Sequence, residues 1–366
     1  MRLCSVAVAD FRNFSSISIE PGNHFNLLYG LNGQGKTNLL EAIYLLGSPR
    51  SFRTSRLPEL VKHGAERAQI QGSVTSGGIE SVLRLVIEPV GRKVEIDGKA
   101  VHKASELHGK LNAVVFSPDD TGMVRTGPES RRRYLDRAVY MGDIGYLHCW
   151  HSYQRILKQR NHLLKHADKT GLDIWTEKLA EAGAEVIERR LKFVALLDGK
   201  LQKYYATISG DSEASRLSYQ PDGVGSSERE AIQNELLELF KRHLRSDERY
   251  GTTTAGPHRD DLTFILDERP LKAFGSQGQQ KSFVLALKMA EMDNLNDTFG
   301  EAPLLLLDDM SSELDARRNH NLMEFLTTRE IQVFITTTER SPALLASAPQ
   351  CAVFRVENGN LTFEGN

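Results

Sequence analysis

Eight residues, Gly30–Thr37 (GLNGQGKT), have a spacing with a definite chemistry. In G-x-x-x-x-G-K-[ST], backbone N–H groups ahead of a helix surround phosphate oxygens. Gly30, Gly35, Lys36 and Thr37 fill the defining positions, and Leu31, Asn32, Gly33 and Gln34 complete the loop. Lys36 is expected to neutralise β- and γ-phosphate charge, and the Thr37 hydroxyl to ligate Mg²⁺. A second segment, Leu304–Asp315 (LLLLDDMSSELD), places carboxylates directly after an apolar run. Beside a P-loop, Asp308 suits a Mg²⁺ ligand acting through water, and Asp309 suits the group that orients an attacking water. Without the P-loop the same run reads as a strand ending in a solvated acidic turn. The third segment, Ser276–Gln279 (SQGQ), satisfies the S-x-x-Q capping box and also offers a serine hydroxyl and a glycine to phosphate at a helix start. It lies 239 residues beyond Thr37 and would be superfluous to a P-loop already complete in its own subunit. Ser276, Gly278 and Gln279 are therefore expected to serve ATP held by a second molecule.

These residues need elements to hold them. Phe25–Tyr29 (FNLLY) has the character of a buried strand and Asn38–Leu46 has apolar residues at helical spacing, so strand, glycine loop and helix follow in the required order. Leu304–Leu307 and Val333–Ile335 read as buried parallel strands, Leu111–Phe116 as another strand, and Gln280–Leu295 as a helix. From Ala68 to Val101 apolar and polar residues alternate between glycine turns, which predicts an antiparallel sheet. From Arg131 to about Tyr205 the pattern turns helical, Ile208–Glu230 reads as a surface connection, and Ala231–Arg245 as one more helix. The expected architecture is α/β: a discontinuous nucleotide-binding domain over 1–125 and 250–366, with a β-rich subdomain near 65–101, interrupted by a mainly helical domain over 126–249.

The 366 residues are 40% hydrophobic and 26% charged, enough for two cores. Three widely spaced cysteines argue against a disulfide framework and a CxxC metal site, and no apolar run approaches a membrane span. A cytoplasmic setting is expected. Net charge is −2, yet Arg125–Tyr205 holds 16 Lys/Arg against 10 Asp/Glu, a local excess of about six. Arg131, Arg132, Arg133, Lys158 and Arg160 are the candidate DNA contacts, with Arg155, Lys165, Arg189, Arg190 and Lys192 adding charge. Interspersed acids leave open that such runs simply face solvent. No zinc spacing or helix-turn-helix signature is present, so backbone or junction-shape recognition is expected rather than base reading.

Taken with Asp10–Phe14 (DFRNF), Phe116–Asp120 (FSPDD), Arg131–Asp136 (RRRYLD), Lys158–Asn161 (KQRN), AGPHRDDL and GSQGQQKS, the three segments make the chain resemble the RecF family of SMC/ABC-type ATPases along essentially its whole length. The resemblance implies an ABC/SMC-type P-loop ATPase head with an antiparallel β subdomain and an inserted, mainly helical second domain. It implies ATP and Mg²⁺, and an ATP-dependent head-to-head homodimer on DNA, at gapped duplex or single-strand/double-strand junctions. Slow, DNA-dependent hydrolysis would release the DNA. Further implications are RecR- and RecO-type mediators as partners, help in loading a RecA-type recombinase, and support of SOS induction. By the same resemblance Ser276 and Gly278 contact the γ-phosphate beside the partner's Lys36, Ser312–Asp315 links the sites with Asp315 at the nucleotide, and Arg12 lies near the base. Two departures from wider ABC-type patterns stand out. Thr336-Thr337-Thr338 occupies the place of a histidine switch without an assignable residue, and Asp309 replaces a common Glu, which suits weak turnover. No Q-loop glutamine is evident, although FSPDD could serve as that connection. A transporter's ATP-binding subunit fits poorly for want of a full LSGGQ, and a long-armed SMC protein for want of sustained heptads. A non-hydrolysing ATP-gated DNA clamp or another SMC-like ATPase remains the alternative.

Overall fold

The apolar runs on either side of the P-loop and the acidic pair become neighbouring strands of one sheet. In the computed structural model, which describes residues 1–366 apart from 49, 167–168, 211–212, 310–315, 341, 349 and 366, the chain divides into two compact units. The first holds Met1–Thr121, Lys203–Ser212 and Gln277–Asn366, and the second Gly122–Gln202 and Glu213–Ser276.

The first unit contains two six-stranded sheets. One is antiparallel, in the order β2 (Phe14–Ile19), β1 (Arg2–Phe11), β4 (Ala68–Ser76), β5 (Ile79–Glu88), β6 (Gly91–Ile96), β7 (Lys99–Ala100). It is wider than the alternation over Ala68–Val101 suggests, because β1 joins it in register with β4, Val8 opposite Ile70. The other runs β15 (Asn360–Gly365), β14 (Ala352–Glu357), β3 (Phe25–Tyr29), β13 (Val333–Thr337), β12 (Leu304–Leu307), β8 (Ala113–Phe116). It is parallel except at the β15 edge. Strands β3, β12 and β13 are buried almost throughout, which is why their sequences are continuous apolar runs.

Helix α1 (Lys36–Gly47) lies in the cluster that joins both sheets: Leu39, Leu40, Ile43, Tyr44, Leu45 and Leu46 pack with Val6, Ile70 and Leu83 of one and Leu28, Leu304 and Phe334 of the other. A helix covered on every side must be apolar on every side. The short α2 (Ala104–Leu107) precedes β8, and α3 (Pro118–Arg125) follows it. Later, α9 (Gln277–Phe299) buries 14 residues, including Lys288 and Glu291. Among the described residues no helix is long and apolar enough to cross a membrane, and all three cysteines are free.

The second unit is built on α4 (Pro128–Gly142), α5 (Ile144–Lys165), most of α6 (Leu172–Ser209) and α7 (Arg229–Tyr250). It also carries an antiparallel sheet of β9 (Ser215–Gln220), β10 (Asp261–Leu266) and β11 (Arg269–Pro270), with α8 (Leu271–Phe274) after it. Strand β9 corrects the reading of Ile208–Glu230 as a connection. Only alternate residues of SRLSYQ are buried, so its apolar signal is two side chains, Leu217 and Tyr219. Its pairing with β10 also carries this unit on to Ser276 rather than ending it near 249.

The second unit is held by buried arginines, and here two DNA candidates are corrected. Arg131 makes a two-pronged pair with Asp261 (Nε to Oδ1 2.7 Å, Nη2 to Oδ2 2.8 Å) and donates to the carbonyls of Met123 and Thr126. Arg160, with no exposed surface, donates to Asp247 (2.7 Å), itself fully buried, and to Thr253 and Thr176. Neither can reach a phosphate. Arg190 is likewise buried, on Asp136 (2.6 Å), the Pro257 carbonyl and the Tyr146 hydroxyl, with its guanidinium 5.1 Å from the Trp150 ring centroid.

His258 completes this interior. The Thr253 carbonyl 3.0 Å from Nε2 can only accept, so Nε2 carries the proton and Nδ1 accepts from the Tyr153 hydroxyl at 2.7 Å. Burial lowers the imidazole pKa from 6.5 to about 4. Below 6.5 the unfolded chain binds a proton that the folded ring refuses, so this contribution to stability declines as pH falls and is gone below about 4. Denaturant titrations from pH 7 to 4 should show a loss on the order of 3 kcal/mol, removed in His258→Gln. At neutral pH Arg160→Ala should cost ~3–5 kcal/mol by stranding Asp247, while Lys158→Ala should stay within ~0.5 kcal/mol.

Candidate nucleotide site

Register sets the site. Tyr29 lies opposite Thr337 across β3 and β13, and Leu307 opposite Ile335 across β12 and β13, so the chain leaves the three strands at the same edge, β12 two residues before the other two. There Gly30 begins the loop with its N–H on the Thr337 carbonyl at 3.3 Å. Gly30 has φ 153°, and a Cβ at this position would lie 2.2 Å from the Val356 carbonyl oxygen. Gly35 has φ 117°, and its Cβ would strike the Asn13 amide at 2.7–2.8 Å. No other residue fits either place. Helix α1 starts at Lys36 without a side-chain cap and without an acid in its first turn, leaving its N–H groups for an anion.

Leu31, Asn32 and Gly33 are exposed, whereas Gln34 is anchored. Its carbonyl accepts from Asn13 Nδ2 (2.8 Å) and Gly359 N–H (3.3 Å), and its side chain accepts from Asn358 N–H (2.5 Å). Asn13 in turn accepts from Asn38 on α1 (2.8 Å). Sequence reasoning missed Asn13 and Asn38. Their only signal is their place, one in DFRNF and one directly after the P-loop threonine.

Lys36 is mostly buried, its ammonium donating to the carbonyls of Gly30 (2.5 Å) and Leu31 (2.9 Å). Burial lowers its pKa, opposed by the charges of Asp309 and Asp308. Thr37 donates its hydroxyl to the Asp308 carboxylate, 2.8 and 2.9 Å from the two oxygens. Asp308 is also buried, which raises its pKa, while the hydrogen bonds from Thr336 and Thr37 pull it back down.

Strand β13 lies between the P-loop strand and the carboxylate strand, so the residue one before its end falls between their functional groups. That residue is Thr336. Its hydroxyl donates to Asp308 Oδ1 at 2.8 Å and accepts the Asp309 N–H at 2.8 Å. Asp309 sits in the left-handed region at φ 52°, a conformation that costs on the order of 1 kcal/mol for a non-glycine residue and that this hydrogen bond helps hold. Thr336 is thereby the positioning residue that the triplet Thr336–Thr338 does not disclose on its own.

Arg12 is beside the loop but engaged. It grips Glu41 of α1 with Nε to Oε2 at 2.9 Å and Nη2 to Oε1 at 2.8 Å, and donates to the Glu59 carbonyl. Glu41 has no exposed surface and also receives Arg53 and Ser51. Ser276 is exposed ahead of α9, with Gly278 and Gln279 half-buried in its first turn. A Cβ on Gly278 would meet the Arg318 guanidinium, on the helix Ala316–Thr327, at 2.8 Å. Asp315 and the loop Ser312–Asp315 lie outside the described residues. FSPDD leaves the end of β8, and Asp120 accepts from Ser117 and pairs with the buried Lys288 of α9 at 3.1 Å. It thus ties the strand beside Asp308 to the helix that begins at Gln277. Of the remaining DNA candidates, Arg132 donates to the Asp260 carbonyl at 2.7 Å, while Arg133 and Lys158 are exposed.

A strand, P-loop and helix, with a carboxylate delivered one strand beyond the neighbour and a glycine at the start of a separate helix, define an ABC-type ATPase head. The comparisons agree. Residues 2–362 match the family model described as RecF/RecN/SMC N terminal domain. The chain is 51% identical to the DNA replication and repair protein RecF of Trichlorobacter lovleyi, across 100% of this chain and 99% of that one. Against RecF of Geotalea uraniireducens it is 46% identical, across 99% and 100%. The solved RecF-ATP structure of the recombination mediator in the RecFOR pathway has a TM-score of 0.89 at 33% identity, covering 99% of each chain. An SMC head bound to the C-winged helix domain of ScpA has a TM-score of 0.59 at 16% identity over 100% and 98% of the two chains, a likeness of fold alone. The chain belongs to the RecF family.

Thr336→Val keeps the shape of the side chain and removes both hydrogen bonds. It should lower ATP turnover about tenfold, ~1.4 kcal/mol in the barrier, while changing ATP affinity by less than about threefold, since Lys36 and the loop amides are untouched. Single-turnover assays and equilibrium nucleotide binding separate the two; wild-type turnover in this variant would remove Thr336 from the positioning role.

Proposed function

We propose that this chain is an ATP-dependent DNA-binding switch of recombinational repair and replication-gap processing. ATP binding joins two copies head to head on DNA, and slow hydrolysis releases them. The observation that carries the reading is the closure of Thr37 on Asp308, 271 positions away in sequence, with the Lys36 ammonium on the P-loop carbonyls beside them. The relatives' names and the RecF-ATP neighbour support it.

The loop N–H groups and Lys36 bind the β- and γ-phosphates, exchanging carbonyl partners for phosphate oxygens. One hydroxyl and one carboxylate suit Mg²⁺, a hard cation that keeps most of its hydration, so Thr37 and Asp308 would hold it. When bound it supplies charge neutralisation at the phosphates. Asp309 orients the attacking water, its backbone fixed by Thr336. The aspartate carboxylate reaches one methylene less far than a glutamate, which favours a timer over a motor. Ser276 and Gly278 complete the site from the partner subunit, consistent with the exposure of Ser276. RecR- and RecO-type mediators are the expected partners in a cytoplasmic pathway that loads a RecA-type recombinase and supports SOS induction.

Mass measured in solution with ATP, Mg²⁺ and gapped duplex DNA tests this reading. Wild type should shift from monomer to dimer on adding ATP, and Lys36→Met and Ser276→Arg should not. Asp309→Asn should dimerise and persist, with hydrolysis reduced at least about tenfold. Nucleotide binding by wild type without any dimer would refute the shared site.

A further inference from the structure

The structure sorts the cations of the helical unit into groups with different fates. Arg131, Arg160 and Arg190 are buried on carboxylates. Arg189 is paired with Asp143 and Glu185, and Lys192 with Glu188 at 2.6 Å. Arg155, Lys158 and Lys165 are exposed, and among the described residues none of the three has an ion pair or side-chain hydrogen bond. All three belong to α5.

We propose that the exposed face of α5 is the surface on which this chain holds the sugar-phosphate backbone of duplex DNA; the proposal rests on the DNA-binding reading above. Helix α5 has 22 residues and not one Asp or Glu, whereas α7, of equal length, has five. Its exposed positions are His148, His151, Arg155, Lys158, Gln159, His162 and Lys165 within the helix. At ~100° per residue they fall within about a third of the circumference. The stripe therefore presents only basic and neutral side chains, over ~26 Å at 1.5 Å per residue. That length matches several consecutive phosphates at ~3.4 Å of axis per nucleotide.

Helix stability does not explain the pattern. The macrodipole favours cations in the last turn, which covers Lys165 and His162 but not Arg155 and Lys158 in the middle. It also favours acids at the start, and the first turn of α5 has none. Asp143, the cap before it, is taken by the Gly145 N–H and by Arg189. Like charges three residues apart cost a few tenths of a kcal/mol, and among the described residues no carboxylate pairs with Arg155, Lys158 or Lys165. A polyanion supplies one.

The choice of duplex over single strand follows from the aromatic residues. A single-strand groove needs exposed rings for base stacking. The tyrosines and the tryptophan of α5 point elsewhere: Tyr146 and Tyr153 are buried, and Trp150 stacks between them. The face offers cations and small imidazole rings but no exposed Tyr, Phe or Trp, which suits backbone contact without base reading.

The test uses full-length protein with ATP and Mg²⁺ and a fluorescent 30-base-pair duplex, titrated at several salt concentrations. Single variants Arg155→Gln, Lys158→Gln and Lys165→Gln should each reduce the slope of log K against log salt by ~0.9 per contact, and the triple variant should lose at least about tenfold in affinity at moderate salt. ATP affinity and thermal unfolding should match wild type, as should DNA binding by Lys241→Gln on α7. Wild-type affinity and slope in the triple variant would overturn the proposed surface while leaving the DNA-binding reading intact. Failure of the wild type to bind DNA at any salt would overturn that reading and this surface with it. Loss of affinity for single-stranded DNA alone, with duplex binding unchanged, would also overturn the proposal.

Discussion

Asp308 is the point on which the nucleotide site depends. One carboxylate accepts the hydroxyl of Thr37 at the start of α1 and the hydroxyl of Thr336, one residue before the end of β13, and its own backbone N–H is held by the Phe116 carbonyl of β8 at 2.8 Å. Two hydroxyls, one 271 residues before Asp308 and one 28 after it, are thereby brought to one oxygen pair, while β8 holds its backbone. The carboxylate is buried, and desolvation alone would favour its neutral form; the two hydroxyl donors are what keep an anion tenable there. Remove the sheet order, with β13 between β3 and β12, and the three side chains no longer meet.

Much of this was legible in the residues. Parallel strands buried on both faces are written as unbroken apolar runs, so FNLLY, LLLL and the Val333 run announce themselves, and glycine spacing marks the loop because its geometry excludes other side chains. What stayed hidden has a common physical character. Thr336 matters through strand order, which no local pattern encodes. Asn13 and Asn38 matter through hydrogen bonds made across folded distance. Strand β9 shows two apolar residues because its other face is polar, and so it resembles a loop.

Charge was the least legible property. A formal excess of about six over Arg125–Tyr205 suggests a basic surface, yet three of its arginines, Arg131, Arg160 and Arg190, lie inside. Arg131 meets Asp261, Arg160 meets Asp247 and Arg190 meets Asp136, with guanidinium forks matched to carboxylates and carbonyls. An interior of this kind gives orientation rather than large net stability, since its ions are costly to desolvate and costlier to separate. Lys288 and Asp120 repeat the principle in the other unit, joining the segment after β8 to α9.

The Lys36 ammonium, resting on the carbonyls of Gly30 and Leu31, makes the loop its own place-holder. An arriving ligand does not enter a void; it must displace two dipoles already pointed at a cation. A neutral or singly charged molecule offers that cation little more than it already has. A triphosphate offers more, so the loop discriminates by exchange and its selectivity for polyanions is present before any contact with base or sugar.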